Sequence, residues 1–128
     1  MKQVSRGSGR RLLVCGDRNW QDKEYIRAFI KRINPDVIIE GEARGADTFA
    51  RQIAEEMDIK VMSFPADWER YGRSAGPIRN KRMLDEGKPD LVLAFHADIE
   101  HSKGTADMIR QARARGIQTD LFTGSILR

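Results

Sequence analysis

The feature that most constrains the fold of this chain is an alternation of two kinds of segment. Short apolar runs, Leu12 to Cys15, Val37 to Ile39, Lys60 to Phe64, Leu91 to Phe95 and Gln118 to Phe122, are separated by stretches with a helical period. After the first run, Tyr25, Ile26, Phe29, Ile30 and Ile33 line one helix face, with Asp22 placed to cap its start and Pro35 beyond its end. Phe49, Ala50, Ile53, Ala54 and Met57 mark a second helix, and a third runs from Pro77 to Glu86. A fourth, from Thr105 to Arg115, is ended by Gly116. Parallel strands need long crossover connections, and helices supply them while covering the sheet. The crossovers are right-handed, so the economical strand order is 3-2-1-4-5. The prediction is an α/β fold: a Rossmann-like three-layer α/β/α domain over residues 1–128, built on a five-stranded parallel sheet, with residues 1–10 a basic lead-in.

Composition enters where it excludes something. The chain has 128 residues, 40% of them hydrophobic, enough for one packed core. No apolar run approaches the roughly 20 residues that cross a bilayer, and MKQVSRGSGRR lacks the apolar centre of a signal peptide. The single Cys15 excludes an intramolecular disulfide and has no zinc partners at a fitting spacing; its apolar strand marks it as core. A cytoplasmic protein without membrane contact is expected. The net charge of +4 favours anionic partners without choosing between a nucleotide and a nucleic acid. Of the two basic groups, Arg79-Lys81-Arg82 and Arg110-Arg113-Arg115, the second reads as solvated surface.

In sheets of this order ligands bind beyond the carboxyl ends of the strands, where the order reverses. Three loops reach that rim: 16-GDRNW-20, 41-GEARGAD-47 and 96-HADIEHSKGT-105, and the polar insert 66-ADWERYGRSAG-76 folds over it. Gly41, Gly45 and Ala46 open the backbone to close approach, and the helix start beyond them suits an anion. Asp47 equally suits a cap that holds the loop shut, with Arg44 paired to Asp47 or Glu42. Ser102, Lys103, Gly104 and Thr105 combine hydroxyls, a point charge and a helix start. They lack the GxxxxGK[ST] spacing of a P-loop, and GDRNW is not the GxGxxG of ordinary NAD binders.

Trp68 and Tyr71 sit in a polar stretch that burial alone does not explain. Stacking on a nucleobase, lid packing and a subunit contact are all open to them. Arg79 and Asn80 fall in the first turn of the third helix, where an arginine points to an anion or to a salt bridge with Asp67 or Glu69. His96 and His101, with Asp98 and Glu100, match no metal-ligand spacing, so neither metal nor cofactor is expected.

The strings GDRNW, IEGEARGAD, FPADWERYGRSAGPIRNKRM and VLAFHADIEHSKGTADMI resemble the small YspA/YpsA-like proteins of the SLOG superfamily. That superfamily also holds the DNA-processing protein DprA and the LOG phosphoribohydrolases, and the resemblance runs from about Leu12 to Ile117. It implies a Rossmann-like fold, a site for a nucleotide or nucleotide-derived ligand, and a homodimer or higher homo-oligomer of a kind frequent in phages and bacteria. In the LOG enzymes a PGGxGTxxE loop binds phosphate and supplies a glutamate. Gly104 and Thr105 match its GT, but Met108 stands where that glutamate belongs and Asp107 lies one residue early, about 100° away on a helix. Arg79 looks like the counterpart of the LOG arginine.

Three functions follow as expectations. The first is binding, for sensing or sequestering, of a nucleotide-derived small molecule. Its phosphate would meet Arg79, Asn80, Ser102, Lys103, Gly104 and Thr105, and its ribose or base Gly16, Asp17, Arg18 and Glu42. Gly41, Gly45, Ala46 and Asp47 would form the loop beneath, with Asp67, Trp68 and Tyr71 at the lid. The second is a nucleoside-monophosphate phosphoribohydrolase that draws its carboxylate from Glu42 or Asp17, beside Arg79. The third is DprA-like binding of single-stranded nucleic acid.

Overall fold

The computed structural model describes residues 8–124; the first seven residues of the expected lead-in lie outside the described part. Five strands form one parallel sheet: β1 (Arg11–Gly16), β2 (Val37–Glu40), β3 (Lys60–Ser63), β4 (Leu91–Phe95) and β5 (Gln118–Phe122). Their order is β3-β2-β1-β4-β5, as the alternation predicts. Leu12 is paired with Ile38 on one side and Leu91 on the other, so β1 is central and the order reverses between β1 and β4.

The helices are α1 (Lys23–Ile33), α2 (Ala46–Glu56), the short α3 (Trp68–Tyr71), α4 (Ala75–Gly87) and α5 (Gly104–Ala114). Strand periodicity sorts the core into two layers. Leu12 and Val14 pack with Ile26, Ile30, Ile53 and Phe95 under α1 and α2. Leu13 and Cys15, on the opposite face, pack with Met83, Leu84, Met108 and Ile109 under α4 and α5. Each such buried aliphatic side chain contributes roughly 1.5–3 kcal/mol. Asp22 caps α1 as expected, its carboxylate accepting from the Tyr25 amide at 3.1 Å. Asn34 closes the helix in the left-handed region, at φ 49°.

The stretch read from the sequence as a polar insert is largely helical, and the start expected for the third helix at Pro77 is corrected by it. Asp67 accepts from the Arg70 amide at 3.1 Å and starts α3, and a tight turn over Gly72–Ser74 leads straight into α4. The helix therefore begins at Ala75, two residues before Pro77. Proline is tolerated there because amides of a first turn have no intrahelical partner to lose. Arg79 and Asn80 consequently sit in the second turn of α4, not its first.

Candidate functional site

The rim loops after β1 and β4 enclose a cavity of about 310 Å³ with the start of α5 and one side of α4. It lies beyond the carboxyl ends of the two strands at which the order reverses, where the fold leaves room between diverging connections. Ten of the sequence-selected residues line it: Gly16, Asp17, Arg18, Asp47, Arg79, Asn80, Ser102, Lys103, Gly104 and Thr105. The structure adds Cys15, Ala43, Met83, His96 and His101.

The glycines of the second-strand loop have a different purpose from the expected ligand approach. A Cβ on Gly45, at φ 74°, would collide with the carbonyl oxygen of Asp17, because the loop after β1 rests on this residue. The Ala46 amide donates to the same oxygen at 3.2 Å. Gly41 does not use a left-handed backbone; a Cβ there would lie 2.6 Å from Nη1 of Arg79. Besides Gly45, Glu42 adopts a positive φ in this loop, at 59°. Glu42 is exposed and outside the cavity wall, and its amide donates to the Glu40 carboxylate at 2.6 Å.

Asp47 holds the loop shut without capping the helix, a second correction. Gly45 occupies the cap position of α2 and makes no side-chain bond. The buried carboxylate of Asp47 turns back, its Oδ2 accepting from the amides of Gly41 at 3.0 Å and Ala43 at 3.4 Å. Geometry explains the reversal: Asp47 is the second residue of α2, so the loop amides lie closer to its carboxylate than the helix amides do. Burial pushes the Asp47 carboxyl up to about 7, opposed by the Arg79 charge and reinforced by Glu40. Burial also raises Glu40, whose oxygens are held by the Ser63 hydroxyl and the Glu42 amide. The Cys15 thiol, next to Asp47, is likewise pushed up by burial and stays protonated.

Arg79 takes neither of its expected salt-bridge partners, Asp67 or Glu69. Its Nη1 donates to the carbonyl of Gly41 at 2.7 Å and its Nε to Oδ1 of Asn80 at 3.0 Å. Its Nη2 has no partner among the described residues. Asn80 is committed to architecture, donating to the carbonyl of Gly104 at 3.1 Å and to Asp107 at 3.0 Å. It thereby fastens the start of α5 to α4. Asp107 is further tied to Gln111 and Arg110, away from the cavity, and Met108 is fully buried.

At the start of α5, Ser102 Oγ accepts from the amides of Thr105 at 3.1 Å and Ala106 at 3.4 Å. The positive end of the helix and Lys103 face the cavity. Lys103 and Arg18 have no ion-pair partner among the described residues. His96 accepts from the Asp98 amide through Nδ1 at 3.0 Å. His101 is exposed and pairs with Asp98, which raises its pKa. Among the described residues no group of three or more His, Cys, Asp or Glu side chains is placed to hold a metal ion. Nor is any described helix long and apolar enough to cross a membrane.

The expected lid stands apart from this cavity. Asp67 and Tyr71 line a second hollow of about 290 Å³, with Pro65, Arg70, Arg79 and Arg82. Trp68 is 55% and Tyr71 38% exposed. Sequence reasoning grouped both with the main site because α3 and its turn, which set the aromatics to one side, leave no periodic signal over four residues.

The model of the family described as YspA, cpYpsA-related SLOG matches residues 10–71. The Gene 61 protein of Mycobacterium phage D29 is 34% identical over 118 residues, covering 84% of this chain and 92% of that one. Among solved structures, the DNA processing protein A (DprA) of Streptococcus pneumoniae superposes with a TM-score of 0.67 at 18% identity. That match covers 92% of this chain and 52% of the other, so the chain spans about half the length of DprA. At that identity the likeness speaks for the fold.

Proposed function

We propose that this chain, which belongs to the YspA, cpYpsA-related SLOG family, binds a nucleotide or nucleotide-derived small molecule in the cavity between β1, β4 and α5. The observation that carries the reading is the division of charge around that cavity. Arg18, Lys103 and the positive end of α5 offer donors to a phosphate, while Asp17 and Asp47 offer acceptors to hydroxyl or amine groups. A volume of about 310 Å³ is at the lower end of the range for small-molecule sites, which suits one nucleoside and its phosphate. The reading places binding ahead of cleavage, since the position of the LOG glutamate holds the buried Met108. Asp17 and Asp47 are the carboxylates within the cavity, so any turnover would fall to them rather than to Glu42.

The test is thermal unfolding of the purified protein with AMP, cyclic nucleotides, NAD and short single-stranded DNA. A ligand at ~100 times its Kd adds about 2.7 kcal/mol to stability. A shift with a mononucleotide, lost in Lys103→Ala, supports the reading. The name of DprA suggests DNA as the competing ligand, and a shift with DNA alone, falling steeply with salt, replaces the small molecule by a strand. Pairing of two copies, implied by the family resemblance, is read in the same preparation by light scattering.

A further inference from the structure

We propose that α3 and the hollow beside it form a docking surface for an acidic segment of another protein, which seats an apolar side chain in the hollow and sets its carboxylates on Arg70 and Arg73. This surface is separate from the cavity at the rim of β1 and β4 and does not depend on what that cavity binds. No residue of α3 is buried, so the turn adds nothing to the core. It is nevertheless built: Asp67 caps it, and Gly72, at φ 56°, turns the chain towards α4. Trp68 and Tyr71 are the large apolar side chains exposed among the described residues, and three positions apart on a helix they share one face. A Cβ on Gly76 would lie 3.6 Å from Cη2 of Trp68, so the indole leans on the start of α4 and leaves the rest of its surface to water. Exposed aromatic rings gathered at one place, rather than scattered, mark an interaction surface.

The hollow of about 290 Å³ supplies the seat. Pro65, Ala75 and Ile78 give it apolar walls beside the Tyr71 ring. Its charged groups are mostly cationic, with Asp67 the one acid among them and already engaged by the Arg70 amide. Arg82 is spent on Glu86 and on the Phe64 ring, so it shapes the wall. The Arg70 guanidinium lies over the Tyr71 ring at 5.1 Å. Neither Arg70 nor Arg73 has an ion-pair partner among the described residues. Two unpaired guanidinium groups beside two exposed rings select the occupant. Carboxylates form charge-assisted, two-pronged bonds with arginine, and an apolar side chain matches the walls of the hollow. A nucleic-acid strand fits worse, because it needs a row of cations and meets two, with Asp67 and Glu69 on the same turn. A second copy of the chain also fits worse: in a twofold contact the surface faces itself and sets arginine against arginine.

The experiment measures fluorescence anisotropy of a labelled synthetic peptide of aspartate and glutamate interrupted by leucine and phenylalanine. A counterpart with serine at the apolar positions, and oligothymidine, are measured beside it. The wild-type chain is compared with Trp68→Ala, Arg70→Glu, Arg73→Glu and Arg32→Glu, the last an equal charge reversal at an exposed position of α1. Melting curves accompany each variant and should match the wild type, since none of the four residues is buried. The expectation is that the apolar acidic peptide binds, and that Trp68→Ala, Arg70→Glu and Arg73→Glu each weaken it about tenfold. Arg32→Glu should change it by less than about twofold, and the serine counterpart should bind about tenfold more weakly. Equal weakening in Arg32→Glu reduces the attraction to net charge and overturns the proposal. So does a serine counterpart as tight as the peptide, which leaves the hollow without an occupant. Oligothymidine bound in place of the peptide, and lost in the same variants, gives the surface to a nucleic-acid strand. A concentration-dependent mass in light scattering that Trp68→Ala abolishes gives it to a second copy. Either result overturns the acidic partner, as does a peptide that does not bind.

Discussion

The guanidinium of Arg79 donates to the carbonyl oxygen of Gly41 at 2.7 Å, across 38 positions of sequence. The same glycine gives its amide to Asp47 at 3.0 Å, so one peptide segment is gripped by a guanidinium from α4 and a carboxyl group from α2. This grip sets the wall of the cavity, and the side-chain-free position makes it possible.

Gly41→Ala should therefore act at a distance. Its Cβ would fall 2.6 Å from Nη1 of Arg79 and 3.0 Å from the Asp47 carboxylate. Overpacking of this kind costs about 1–3 kcal/mol. Chemical denaturation should show that loss, and mononucleotide affinity should fall in Gly41→Ala and in Arg79→Ala alike. Unchanged stability together with unchanged affinity would show that the guanidinium does not need this anchor.

Gly45→Ala should be more severe. Residue 45 combines φ 74° with a collision against the Asp17 carbonyl, a backbone atom that cannot rotate away. Left-handed strain alone costs about 1–2 kcal/mol, and displacement of the loop after β1 adds to it. A loss of at least about 2 kcal/mol is expected. A smaller loss, measured by urea unfolding, would mean that the loop after β1 yields easily.

Asp47 predicts an unusual pH dependence. Its folded-state pKa of about 7 lies above the ordinary aspartate value of 3.8, chiefly through burial. The folded state then binds the proton more tightly than the unfolded state. The resulting stabilisation is fully present below about pH 4 and is lost as pH rises towards 7. Glu40, raised by burial too, has the same sign. Glu56, Asp85 and Glu86, lowered by their cationic partners, have the opposite sign and act in the more acidic range. Unfolding free energy should fall across pH 4–7 by at most about 1.4 kcal/mol per unit for this one proton. Asp47→Asn should flatten the slope, and an unchanged slope in that variant would move the titration elsewhere.

Ser102 and Lys103 should separate stability from binding. Ser102 Oγ accepts two first-turn amides of α5, so Ser102→Ala should cost about 1 kcal/mol. Lys103 is exposed and unpaired among the described residues, so Lys103→Ala should change stability by less than about 0.5 kcal/mol. Its loss should nevertheless weaken a mononucleotide about tenfold, the contribution of one charge-assisted hydrogen bond. Parallel melting and titration curves on the two variants check the separation; loss of binding in neither would remove α5 from the site.

Much of this molecule is legible in the sequence because its determinants are local and periodic. Leu12, Leu13, Val14 and Cys15 alternate between two core layers, and Tyr25 to Ile33 present one face, so the strands and long helices follow from spacing alone. Right-handed crossovers then leave little choice of order, and the order places the cavity. The sequence by itself thus determined the sheet, its topology and the rim at which Asp17, Arg79 and Lys103 meet. Only the tertiary structure decided how each of the small and charged rim residues is used. Gly45 serves the Asp17 carbonyl rather than a ligand, Asp47 bonds back into its own loop, and Asn80 is spent on α5. The physical reason is that backbone period acts over a few residues, whereas the occupant of a glycine's empty side or a carboxylate's lone pair comes from distant parts of the chain. Those partners exist only once the layers have packed.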